Sequence, residues 1–152
     1  MRHLMRGAGF GLVVLVVAGC GAGFAPVRGK VVYPDGTPVT DMPNAQVVFE
    51  GVGADGKGYS AAGTLDANGH FVLTTEKTGD GSVAGKNKVL IAPYIPNPEQ
   101  PPPKVLDPRF ESFATSGLDA EVTPGGPNDF TFVVERVKPP APKKDAKKDS
   151  KK

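Results

Sequence analysis

The stretch Ser60-Ala-Ala-Gly-Thr-Leu-Asp-Ala-Asn-Gly-His-Phe-Val-Leu-Thr-Thr75 decides the fold class. Its centre, Asp66-Ala67-Asn68-Gly69, is turn chemistry. Short Asp and Asn side chains bond to nearby backbone, and Asn-Gly supplies the left-handed conformations of a tight β-turn. On the far side of the turn, apolar and polar residues alternate, so Phe71 and Leu73 share one face. A period of two belongs to a strand. The stretch predicts a β-hairpin with arms at 60–65 and 70–75.

The same alternation recurs outward from it. Val27–Tyr33 places Val27, Val31 and Tyr33 on one face and Arg28, Lys30 and Val32 on the other. Pro34-Asp35-Gly36-Thr37-Pro38 then closes that strand with turn residues. Further strands are expected at 45–50 (Ala45, Val47 and Phe49 inward), at 86–92 (Val89 and Ile91 inward), at 118–123, and at 130–136 (Phe130, Phe132 and Val134 inward). No window sustains a helical period over three turns. Seven prolines between 93 and 108 exclude a central strand there. They predict an extended surface loop, after which Phe110 and Phe113 dock a short turn on the core. Short strands at this spacing predict an all-β domain: an antiparallel two-sheet sandwich of about seven strands.

Charge divides the chain unevenly. Residues 138–152 hold seven lysines and two aspartates, whereas 20–137 hold nine Lys/Arg against fourteen Asp/Glu. The whole-chain pI of 8.7 therefore comes from the ends of the chain and is no argument for nucleic-acid binding. The tail has no apolar side chain beyond alanine and proline, so it cannot bury enough surface to offset its ordering entropy. Its lysines suit an envelope protein, anionic lipid heads, or an anionic polymer such as a cell-surface glycan or nucleic acid, or they simply solubilise the chain.

The first twenty residues read as an export signal. Arg2 and Arg6 form a basic start, an apolar run broken only by glycines covers 8–18, and small residues precede Cys20. The run is short for a transmembrane helix, which needs about 20 apolar residues. Val17-Ala18-Gly19-Cys20 resembles the lipobox of bacterial lipoproteins. That resemblance implies cleavage before Cys20, a diacylglyceryl group on its sulfur and an acylated new amine. More than one acyl chain is what stable anchoring requires. By resemblance to lipoprotein sorting in better-known bacteria, Gly21 in place of aspartate implies the outer membrane, with the domain facing the periplasm or the cell surface. The expected layout is a signal peptide at 1–19, a lipidated tether at 20–25, a β domain at 26–137 and a disordered tail at 138–152.

Three segments together, Val27–Val39, Ala45–Phe49 and Gly63–Thr74, resemble the carboxypeptidase regulatory-like domain. Ala84–Ile91, Ala114–Leu118 and Val122–Gly126 are similar to the versions found in small lipoproteins abundant in planctomycete bacteria. The resemblance covers roughly residues 25–136. It implies a transthyretin-like, Greek-key sandwich without catalysis, and it transfers no catalytic residue because only scaffold positions match.

Chemistry-bearing residues are few. With one cysteine no intrachain disulfide forms. His70, the one histidine outside the signal, is read as exposed at the hairpin shoulder rather than as a base. Zinc would lack ligands. Asp66 with Asn68, and Asp107 with Asp119, are candidate calcium ligands, with turn formation the simpler role for the first pair. Arg28, Lys30, Lys86 and Lys88 form either a basic patch or the solvated faces of a sheet. Tyr59, Tyr94 and Phe110 are candidates for an aromatic sugar-binding spot. Cys20 alone is assigned a site, lipidation; no catalytic residue, metal or cofactor is expected. The expected role is a membrane-anchored structural or protein-interaction module of the envelope. Alternatives are a carbohydrate- or peptide-binding module using the proline-rich loop, or an accessory subunit of an envelope enzyme or transporter.

Overall fold

The computed structural model describes residues 23–97, 99–101 and 104–138. The expected signal, Cys20 and all but the first residue of the lysine-rich tail lie outside them. Among the described residues the chain forms nine strands: β1 (Phe24–Ala25), β2 (Val27–Val32), β3 (Gln46–Val52), β4 (Gly58–Thr64), β5 (His70–Val72), β6 (Ser82–Val83), β7 (Gly85–Ala92), β8 (Leu118–Val122) and β9 (Asn128–Val133). They assemble into three sheets, in the orders β1-β6, β5-β2-β9 and β4-β3-β7-β8.

The domain is all-β, but this architecture corrects the expected two-sheet, seven-strand antiparallel sandwich of transthyretin-like, Greek-key type. Three physical causes account for the difference. First, β2 and β9 run parallel, from Val27↔Asn128 to Val32↔Val133. Alternation tells which face a strand buries; it does not tell the direction of its neighbour. Gly29 permits this pairing, because a Cβ there would collide with the Phe130 carbonyl oxygen and sit 2.8 Å from the Phe71 ring.

Second, the arms of the Asp66 turn part company. The turn itself forms as the sequence predicts: Asp66 N–H donates to the His70 carbonyl at 2.8 Å and Gly69 N–H to the Asp66 carbonyl at 3.1 Å. However, β4 pairs with β3 and β5 pairs with β2. The arms share one bridge, Ala62↔Thr74. β5 passes over Gly63, where a Cβ would lie 2.5 Å from the Val72 carbonyl oxygen. Third, β1 and β6 form a separate two-residue ribbon, too short to carry a periodic signal.

The three-stranded and four-stranded sheets share one core. Phe49 of β3 meets Phe71, Phe130 and Phe132 at ring-centroid distances of 6.4, 6.0 and 5.8 Å. Phe71 and Phe132 stack at 6.1 Å. Such pairs add specific geometry to the burial that drives folding. Ala45, Val47, Phe49, Phe71, Leu73, Val89 and Ile91 are buried as their alternation predicts. Val32, expected outward, is buried too, because the turn after β2 brings Pro38 back beside it in a bridge. A 3₁₀ turn at Pro108–Glu111 is capped by Asp107 and seats Phe110 in the core, while Phe113 stays half-exposed.

The parallel pair gives the domain two poles. The described chain starts at Gly23, just before β1 and β2, and continues past the far end of β9 to Lys138. Six paired residues, about 17–20 Å of strand, separate the two. The amino pole also carries the β3–β4 loop, the β6–β7 corner and the β8–β9 turn. The carboxy pole carries the 33–45 segment, the Asp66 turn and the chain leaving β7.

Candidate functional site

At the carboxy pole, three side chains from distant parts of the chain form a clasp. Tyr33 follows β2, Asp41 lies in the segment before β3, and Arg136 follows β9. The Tyr33 hydroxyl donates to Asp41 Oδ1 at 2.5 Å. Arg136 donates to Asp41 Oδ2 from Nη2 at 2.9 Å and from Nε at 3.2 Å. Its guanidinium also lies 3.6 Å from the centre of the Tyr33 ring. The backbone helps to hold Arg136 there, through its bridge to Leu106 and the 2.9 Å bond from Val137 N–H to the Val105 carbonyl.

The electrostatics follow from these contacts. Burial and then the bond to Asp41 push the Tyr33 hydroxyl well above its ordinary range, so it stays neutral. Burial pushes the Asp41 carboxyl upward, but the Tyr33 hydroxyl and the Arg136 guanidinium outweigh it and hold the group below its ordinary value. Both carboxylate oxygens are engaged and the phenol proton is committed. The clasp fixes the direction in which the chain leaves the domain, and its geometry offers no free acid or base.

Beside it runs a groove of about 240 Å³ lined by Asp41, Met42, Pro43, Tyr94 and Pro96. Tyr94 and Ile95 are 51 % and 43 % exposed, an unusual pair of large apolar side chains at the start of the proline-rich loop. A second exposed apolar feature lies on the outer face of the three-stranded sheet. There Val72 and Val133 are more than half exposed. Shallow grooves flank the Arg28–Asp129 ion pair on the same face.

The residues singled out in the sequence mostly take structural roles. Asp66 Oδ1 accepts from the backbone N–H of Asn68 and of His70, each at 2.8 Å, and these bonds hold its carboxyl below the ordinary value. Asn68 contributes its backbone to that turn. His70 is exposed, with Nδ1 3.7 Å from Asp66 Oδ2. Asp107 caps the 3₁₀ turn by accepting from Arg109 N–H at 3.0 Å, while Asp119 pairs with Lys88 at 2.8 Å. The two are therefore separately engaged. Among the described residues, no three His, Cys, Asp or Glu side chains gather in a way that could hold a metal.

The basic residues do not merge into one patch. Arg28 and Lys30 lie on β2, Lys86 and Lys88 on β7 of another sheet, and Arg28 and Lys88 each pair with an aspartate. Nor do the three aromatics meet. Phe110 is in the core, Tyr59 packs edge-on against Phe24 at 5.2 Å, and Tyr94 lines the groove. Cys20 lies outside the described residues. Nothing local in the sequence marks the clasp. Asp41 and Arg136 are 95 residues apart, and no local spacing connects them.

Comparison of the chain with family models, with curated proteins and with solved structures finds no match in any of the three.

Proposed function

We propose that this chain is a lipid-anchored module of a bacterial cell envelope with a structural or protein-interaction role. It holds a lysine-rich tail away from the membrane that carries it. The observation that carries this reading is the parallel β2–β9 pair. The described chain enters at Gly23 at one pole and leaves past Arg136 at the other. The Tyr33–Asp41–Arg136 clasp fixes that departure two residues before Lys138. Acylation of Cys20 tethers the amino pole, in the outer membrane as Gly21 implies. The tail's seven lysines then face an envelope protein or an anionic polymer across the thickness of the domain. Residues 25–136 also resemble carboxypeptidase regulatory-like lipoproteins in sequence, although the three-sheet fold departs from the sandwich that resemblance implies.

Flotation of membranes tests the reading. The unaltered protein floats with lipid and Cys20→Ser stays soluble. Deletion of residues 139–152 keeps flotation but abolishes retention on an immobilised anionic polysaccharide. Unchanged retention and unchanged envelope partners after the deletion would refute the tail's role.

The groove at Tyr94 favours a second reading, a binding module for a short peptide or sugar. It adjoins the proline-rich loop and presents an aromatic face with a polar edge. Tyr94→Ala removes that face without entering the core. On this reading it abolishes ligand retention and leaves the melting temperature unchanged.

A further inference from the structure

We infer that the amino pole is a lipid-contacting surface, seated on the headgroup layer through the β3–β4 loop and the Phe24–Tyr59 pair. The inference rests on acylation of Cys20. Gly23 is fixed to the body: its carbonyl accepts from Ala84 N–H at 3.1 Å, and the next two residues pair with β6. From Cys20 to Gly23 the chain advances three residues, which span at most about 11 Å even when fully extended. An acyl anchor at Cys20 therefore brings the surface around Gly23 against the bilayer and keeps the carboxy pole away from it.

The side chains at that pole suit an interface. The Phe24 and Tyr59 rings meet edge to face, with centroids 5.2 Å apart, and neither is fully buried. Aromatic rings with a polar tip favour the boundary between headgroups and acyl chains. Val52, at the end of β3, is 64 % exposed, more than any other large apolar side chain among the described residues. Lys57 closes the loop: its carbonyl accepts from Gly53 N–H at 2.8 Å and its side chain is 76 % exposed. A lysine so placed lays its stem along apolar surface while its ammonium stays beside Asp55 at the headgroup layer. The one carboxylate in the loop, Asp55, is already engaged. It accepts from the Tyr59 hydroxyl at 2.8 Å and lies 3.7 Å from the Lys57 ammonium, so it opposes the approach only weakly.

Two matched turn residues test the orientation. Ala54 is exposed in the β3–β4 loop and Ala67 is exposed in the Asp66 turn at the opposite pole. Because Cys20 is acylated, a cysteine introduced at either place is the one thiol open to a fluorescent label. Full-length Ala54→Cys and Ala67→Cys proteins, extracted from membranes and reconstituted in vesicles, are probed with a lipid carrying a headgroup nitroxide quencher. The Ala54→Cys label is expected to be quenched several-fold more strongly than the Ala67→Cys label. Equal or reversed quenching in protein that floats with the vesicles overturns the orientation alone. Protein that fails to float overturns the anchor, and the orientation with it.

Discussion

At the amino pole the chain is fastened by close backbone contacts, and at the carboxy pole by a charged clasp laid over backbone bonds. β1 is held to β6 by a two-residue ladder, and Gly81 passes so close to Ala25 that a Cβ would collide with its carbonyl oxygen. Beneath them the Asn87 side chain is buried. Its Oδ1 accepts from the Ser82 hydroxyl and its Nδ2 donates to the Val83 and Gly85 carbonyls, each at 3.0 Å. The carboxy pole depends on Tyr33, Asp41 and Arg136, with Arg109 and Glu135 adding a looser pair at 3.5 Å. Buried backbone geometry tolerates little change, whereas exposed ion pairs contribute modestly and are screened by salt. Substitution should therefore cost more at the amino pole than at the carboxy pole.

Substitutions can break this contrast at either end. Gly81→Ala should be the most damaging. It combines a residue at φ +87 with a backbone collision. The expected loss is about 2–4 kcal/mol in urea unfolding, with the β1–β6 amides losing exchange protection first. Asn87→Leu comes next. It leaves one buried carbonyl, one partly buried carbonyl and a buried hydroxyl without their partner, at a cost of about 2–3 kcal/mol. At the other pole Tyr33→Phe removes one charge-assisted bond and keeps the ring under Arg136, so it should cost only about 1–2 kcal/mol. A loss from Tyr33→Phe as large as that from Gly81→Ala would erase the contrast.

The smallest expected effect is the dependence on pH. The Asp41 carboxyl sits below its ordinary 3.8 in the fold, so its stabilisation is complete above about pH 4 and disappears as pH falls through the folded value. Tyr33 is raised above its ordinary 10.0, so its contribution is complete below about pH 10 and is lost as pH climbs through the folded value. Melting temperature should thus be insensitive to this clasp between pH 4 and 10. The difference between the native chain and Asp41→Asn should shrink on the acid side. A difference that grows on acidification would contradict the assignment of the clasp.

The two poles also differ in how far they could be read from sequence. Residues 27–32, 85–92 and 118–122 are strands almost as their alternation predicts, since burial on one face is a local property. The Asp66 turn was equally legible, because Asp and Asn bond to their own neighbourhood. The partners of those strands were not. Gly29 and Gly63 permit close backbone crossings, and in sequence each is only a glycine inside a strand pattern. The β1–β6 ribbon, two residues on each side, is too short to carry a periodic signal, and so three sheets form where two are expected. Among candidate sites, the calcium residues were visible by type but serve turns, a cap and an ion pair, and of the basic residues Arg28 and Lys88 each pair with an aspartate. The clasp was invisible because its chemistry comes from topology: only a parallel β9 brings Arg136 to Tyr33.

Anchoring at Cys20 is the claim on which the orientation of both poles depends. Intact mass of the membrane-extracted protein, beside Cys20→Ser, tests it most directly. The expected result is a chain that begins at Cys20 and carries the mass of its acyl groups, and a Cys20→Ser protein that lacks both the acyl mass and cleavage at that position. An unmodified chain beginning elsewhere would contradict it.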